Sequence, residues 1–193
     1  SDTAQEVYDH DNKIHVLFKN IKLHAIVRKW DEYEGNLYTL KVILYTQTAI
    51  TDSKDVTFGI RTFGCNEKGR FTLNNRCIFI RSEANCAEFP EEGHPPMDVE
   101  SWMNILSRYQ EYGINYMRFH SHCPPDAAFT AADRLGILMQ PELSHWNPKD
   151  ALESEESYQY YKKELKAIIE TYANHPSFVA LTLGNELHNQ ELG

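Results

Sequence analysis

Positive charge is scarce in this sequence. Nineteen lysines and arginines face 28 aspartates and glutamates in 193 residues, giving a formal charge of −9 and a pI near 5.4. No Lys/Arg stripe interrupts that acidity, which excludes a phosphate backbone as partner. Any apolar run long enough to cross a bilayer is also missing, and Ser1–Glu6 lacks the basic start and apolar core of a leader. A soluble chain is expected, with neither nucleic acid nor membrane among its partners. Cysteine is sparse: Cys65, Cys77, Cys86 and Cys123 show no Cys-x-x-Cys spacing, so a zinc site is disfavoured and buried free thiols are expected.

Helical periodicity is absent from Lys13 to Phe63. Ile14–Phe18, Leu23–Val27, Leu37–Tyr45 and Val56–Ile60 are rich in β-branched and aromatic residues, with Glu34–Asn36 and Thr51–Ser53 as punctuation. Strands without helices imply antiparallel sheet. Four are few for a closed sandwich of about seven, so the expectation is the latter part of a sandwich whose opening strands lie upstream of Ser1.

After Phe63 strands and helices alternate. Phe71–Arg76 suggests a small hairpin, and Cys77–Arg81 a strand leading into the irregular segment Ser82–Pro96. Asp98 can cap a helix whose apolar positions Val99, Trp102, Ile105, Leu106 and Tyr109 share a face, stopped by Gly113. Ile114–His120 is a strand. Pro125 opens a helix through Leu135, closed by Gly136, and Ile137–Gln140 is a third strand ending in Pro141-Glu142. Tyr158, Tyr161, Leu165, Ile168, Ile169 and Tyr172 form an amphipathic stripe. His175-Pro176 stops that helix, and Phe178–Leu183 is an apolar run suited to a parallel strand buried on both faces, ending in Gly184-Asn185-Glu186. Four strands alternating with three helices predict a parallel sheet. A (β/α)₈ barrel needs eight strands and about 250 residues. The expected fold class is therefore α/β: the first half of a TIM barrel over residues 63–193, preceded by a partial immunoglobulin-like β-sandwich over residues 1–62.

In such folds the carboxyl ends of the strands hold the chemistry. Gathered there are Asn85 and Glu88, then Arg118, His120 and His122, then Glu142, and finally Asn185 with Glu186. Alternation would put Arg118, His120 and His122 on one face if their strand runs that far. Each has two readings. Glu186 is an acid for a leaving glycosidic oxygen or a solvated strand end, and Asn185 is a donor to a sugar hydroxyl. The two histidines are pocket groups or rim residues, Arg118 meets ligand or pairs with Glu142, and Trp146 is a sugar platform or a loop anchor. Glu88 is expected to be merely solvated. His120-x-His122 also has the spacing of a divalent-metal site with Glu142 or Glu186 as a further ligand.

The ordered set Gly113–Arg118, Ser121–Pro124, Ala132–Ile137, Pro141-Glu142, Asn174–Phe178 and Gly184–Glu186 resembles glycoside hydrolase family 2, the β-galactosidase, β-glucuronidase and β-mannosidase group. Trp30, Asn36–Tyr38 and Phe58–Arg61 resemble the end of that family's immunoglobulin-like domain. The resemblance implies an exo-acting, retaining β-glycoside hydrolase. Glu186 would be its general acid/base and Asn185 the amide that contacts the sugar 2-hydroxyl. His122 would be the pocket histidine, with His120 competing because of one extra residue before Ser121. Arg118, Glu142 and Trp146 join the substrate-binding set. The magnesium ligands of some β-galactosidases have no counterpart after Glu142, so no metal or cofactor is called for. The family's nucleophilic glutamate lies well beyond the acid/base. The 193 residues alone are therefore expected not to hydrolyse glycosides and to self-associate through an uncovered edge. The non-catalytic alternative is a carbohydrate-binding or structural relic.

Overall fold

The computed structural model describes residues 6–10, 13–18, 26–146 and 153–187. Two antiparallel hairpins come first. β1 (Glu6–His10) pairs with β2 (Lys13–Leu17), and β3 (Tyr38–Tyr45) with β4 (Ile50–Phe58). β4 runs through Thr51–Ser53, where the sequence suggested a turn. The reversal instead falls at 46–49, where the Thr46 N–H donates to Ala49 and the ladder is bulged at Leu44/Tyr45. The expected strand 23–27 lies outside the described residues over its first three positions, and Ile26 and Val27 are irregular and exposed.

A small antiparallel sheet follows, β5 (Phe63–Cys65), β6 (Phe71–Leu73) and β7 (Arg76–Cys77). Asn74 and Asn75 turn β6 into β7 at φ of 53° and 69°, a left-handed conformation that asparagine tolerates. This hairpin ends the expected strand at 77–81 early. The first parallel strand is instead β8 (Ser82–Asn85), which the sequence had assigned to an irregular segment. It lies beside β9 (Tyr116–Phe119), which in turn pairs with β10 (Leu138–Gln140), all parallel and in chain order.

Three helices interleave. α1 (Val99–Glu111) starts where Asp98 Oδ1 accepts the Ser101 N–H at 2.8 Å and buries Trp102 and Leu106, one turn apart. α2 (Asp126–Leu135) buries Ala127, Ala128, Phe129, Ala131 and Ala132. Gly136 closes it at φ 79°, where a Cβ would lie 2.9 Å from Glu32 Cα. α3 (Glu155–Tyr172) is capped by the Ser154 hydroxyl. Its stripe is only partly covered: Ile168 is buried, while Tyr158 and Ile169 are exposed. The segment after α3 runs parallel to β10 through two isolated bridges, Met139↔Phe178 and Glu142↔Thr182, and is half-buried rather than buried on both faces.

Alternation along the parallel strands separates two cores. Met117, Phe119 and Met139 point to the helices and pack with Trp102, Leu106, Phe129 and Ile137. Tyr116 and Leu138 point the other way, onto Trp30 and Leu73. Trp30 is fully buried and its indole donates to the Asp133 carbonyl at 2.7 Å. Arg61 donates to the carbonyls of Pro176 and Phe178, tying the N-terminal segment to the fourth parallel segment. Buried thiols are not what the structure shows: Cys65, Cys77 and Cys86 are exposed because they sit on short strands or irregular chain. Only Cys123 is half-buried, and burial pushes its thiol pKa up to about 12.

Candidate active site

A polar ladder climbs the face opposite the helices. The Tyr116 hydroxyl donates to Gln140 Oε1 at 2.6 Å, and Gln140 Nε2 to the Thr182 hydroxyl at 3.3 Å. Burial lifts the Tyr116 pKa to about 12, so it remains a donor. Thr182 donates on to Glu142 Oε1 at 2.9 Å. Glu142, 1% exposed, also receives Arg118 Nε at 2.6 Å on the same oxygen and the Ser121 N–H at 2.8 Å on the other. Burial alone would raise its pKa. Arg118, the Ser121 N–H and Thr182 together outweigh burial and hold it below the usual carboxylate range. Arg118 then reaches across with its second nitrogen to Asn185 Oδ1 at 2.8 Å. The planar guanidinium is thereby held at both ends, and the Asn185 amide nitrogen is left directed away from it.

A second group of side chains adjoins the top of this ladder. Trp146 Nε1 donates to Glu186 Oε2 at 2.8 Å, and His120 meets the Trp146 ring edge-on, centroids 5.0 Å apart. Glu186 is exposed and sits at φ 51°, a strained conformation for glutamate of the kind that collects at functional sites.

Of the residues singled out from sequence, the structure thus joins Arg118, Glu142 and Asn185 in one network and His120, Trp146 and Glu186 in another, linked by the 185–186 peptide. His122 adjoins these networks through backbone groups, its own carbonyl accepting the Glu142 N–H at 3.1 Å. β9 ends at Phe119, and Ser121 at φ 57° breaks the alternation that was expected to carry His122 onto the Arg118 face. Its ring lies edge-on to Phe119 at 5.5 Å, with Nδ1 3.1 Å from the His120 carbonyl. Burial lowers its pKa. The two histidines therefore have different neighbours, and among the described residues no group of three or more His, Cys, Asp or Glu is disposed to hold a metal ion. Asn85 is used locally, accepting the Ala87 N–H at 3.1 Å, and Glu88 is exposed. Tyr116, Gln140 and Thr182 were not anticipated. Their even-numbered positions on the strand that carries Arg118, and opposite it, were the available signal.

No protein-family model matches the chain. A putative β-glucuronidase of Formosa agariphila is 32% identical over 177 residues, covering 91% of this chain and 20% of the relative. The β-galactosidase BoGH2A of Bacteroides ovatus is 26% identical over 169 residues, covering 83% of this chain and 19% of that protein. The crystal structure of a glycosyl hydrolase family 2 member from Bacteroides cellulosilyticus superposes with a TM-score of 0.74 at 22% identity, over 93% of this chain and 24% of the other, a likeness of fold. The chain thus spans about a fifth of the length of the curated relatives it matches. With β-glucuronidases and β-galactosidases as its homologues and family members as its structural neighbours, the chain belongs to glycoside hydrolase family 2.

Proposed function

We propose that these residues supply the acid/base half of a longer retaining β-glycoside hydrolase. On this reading the parallel strands and helices of 63–193 are the first half of a TIM barrel, and 1–62 is the end of an immunoglobulin-like sandwich. The observation that carries the proposal is the pairing of two adjacent side chains with two different partners: Asn185 is held by Arg118 and Glu186 by Trp146. Fixing neighbours on one strand end from separate elements is how a proton donor and a hydroxyl-recognition amide are kept in register with one sugar.

Glu186 protonates the departing glycosidic oxygen while a second carboxylate attacks the anomeric carbon, then takes the proton from the water that releases the glycosyl-enzyme. Asn185 donates through its amide nitrogen to the 2-hydroxyl, and His120 with Trp146 lines the sugar's approach. Glu142 is not the nucleophile, because both its oxygens are occupied by Arg118, Thr182 and the Ser121 N–H. On this reading the 193 residues alone do not turn over, and they associate through the uncovered edge of the fourth parallel segment and the apolar faces of the helices. The experiment is hydrolysis of nitrophenyl β-glycosides by the full-length protein and its Glu186→Gln variant, with the 193-residue chain alongside. Turnover only in the unsubstituted full-length protein supports the proposal. Turnover that survives Glu186→Gln, or turnover by the 193 residues alone, contradicts it. Sugar binding without hydrolysis in any form would favour the binding-only relic.

A further inference from the structure

The stretch between β10 and α3 makes contacts that the acid/base chemistry does not use. Ser144 is fastened to α3 twice, its N–H to Glu164 Oε2 at 3.1 Å and its hydroxyl to Glu164 Oε1 at 2.7 Å, while the Tyr161 hydroxyl donates back to the Ser144 carbonyl at 3.2 Å. His145, 3% exposed, lies flat on Tyr161, centroids 4.2 Å apart and rings 12° from parallel. Among the described residues its Nδ1 meets no hydrogen-bond partner, and the contact the ring makes is through its face.

What this fastening holds is the strand end that carries Asn185 and Glu186. The His145 carbonyl accepts the Asn185 N–H at 2.9 Å, continuing the parallel register of Glu142↔Thr182 by three residues on each side. Gly184, at φ 139°, packs against residue 145 so closely that a Cβ there would collide with its carbonyl oxygen. The next residue, Trp146, holds the Glu186 carboxylate. One three-residue stretch therefore grips 184, 185 and 186 in turn, and α3 grips that stretch.

We infer that His145 is a positioning residue: stacked on Tyr161, and with Ser144 tied to Glu164, it sets the backbone of 184–186 and so aims the Glu186 carboxyl at the leaving oxygen. This rests on the acid/base reading of Glu186. Burial lowers the imidazole pKa against the opposing charge of Glu164, a direction that suits a ring used for stacking.

The test uses the full-length protein, a series of aryl β-glycosides of differing leaving-group acidity, and amide hydrogen exchange over 184–187. Misaiming a proton donor slows substrates that need protonation and spares those that do not. Tyr161→Ala should lower kcat/KM for an unsubstituted phenyl glycoside by about tenfold or more, with a dinitrophenyl glycoside changed by about twofold or less. Exchange at 184–187 should quicken in the same variant. Tyr161→Phe, which keeps the stack, should restore both. Should Tyr161→Ala not fold, Glu164→Gln breaks the same tether more mildly and should show the same split with smaller size. Equal loss across all leaving groups, or unchanged exchange at 184–187, would overturn the inference. If Glu186→Gln itself shows no leaving-group dependence, the acid/base reading fails instead, and the exchange data still judge the tether by themselves.

Discussion

Two polar networks hold the fourth parallel segment, one against α2 and one on the face opposite the helices, and they differ in which member meets solvent. In the first, Asp133 is 4% exposed, accepting His175 Nδ1 at 2.6 Å and the Ser177 N–H at 3.0 Å, while His175 Nε2 lies 3.4 Å from Asp126. Serine, histidine and aspartate are all present, yet the Ser177 hydroxyl is fully buried and donates to the Phe129 carbonyl. No substrate reaches it, and its geometry lacks the histidine-to-hydroxyl bond that activates a nucleophile. It is a joint, fixing the start of the fourth parallel segment against α2. The second network, Arg118–Glu142–Asn185 with Trp146–Glu186, is buried at Glu142 and exposed at Glu186. The first network is exposed at Asp126, on its rim, while Asp133 and Ser177 are sealed and hold the fold; the second is exposed at Glu186, the residue proposed to meet substrate.

Breaking the joint should have the largest effect. Asp133→Ala leaves His175 and the Ser177 N–H without their partner, and unfolding free energy should drop by about 3–5 kcal/mol, measured by urea denaturation, with little change in activity per folded molecule. The opposite pattern, lost activity with unchanged stability, would show that Asp133 serves the site rather than the fold.

pH should separate the two networks next. Burial would lower the His175 pKa, but its hydrogen bond to Asp133 and the charges of Asp133 and Asp126 outweigh that and raise it. A raised folded pKa stabilises fully below the unfolded value of about 6.5 and is lost as pH climbs through the folded one. Glu142 is depressed, so its contribution is complete above the unfolded value of about 4.3 and is lost as pH falls through the folded one. His175→Gln should therefore flatten the alkaline side of the stability profile and Glu142→Gln the acidic side, as thermal melts across pH would record. Smallest is Trp146→Phe, which removes one exposed hydrogen bond to Glu186 and should reduce kcat/KM for a poor leaving group by about fivefold or less in steady-state assays.

Much of the helical scaffold was legible because its signals are local. Asp98 as cap, Gly136 as stop and the Trp102/Leu106 spacing each act within a turn or two, and the structure follows them. β8 was missed because Ser-Glu-Ala-Asn has no strand-forming character; its register with Tyr116–Phe119 makes it a strand. The stripe on α3 overstated burial, since helical spacing records which face is apolar and not how far a neighbour covers it. At the site, Arg118 with Glu142 and Asn185 with Glu186 were visible as charged and amide residues ending apolar strands. His120 and His122 were inseparable in sequence because the choice depends on one left-handed residue, Ser121, which gave no warning by type. The tether from Tyr161 and Glu164 to residues 144–145 joins positions about two helical turns into α3 to a loop, and spacing alone does not encode it.

If Glu186 donates the proton, azide should rescue Glu186→Ala in the full-length protein. Dinitrophenyl β-glycoside turnover by the variant should stall at the glycosyl-enzyme and recover on adding azide, releasing the β-glycosyl azide, because a small anion needs no base to attack. Unchanged rates with azide, or product of inverted configuration, would rule out Glu186 as the acid/base of a retaining reaction.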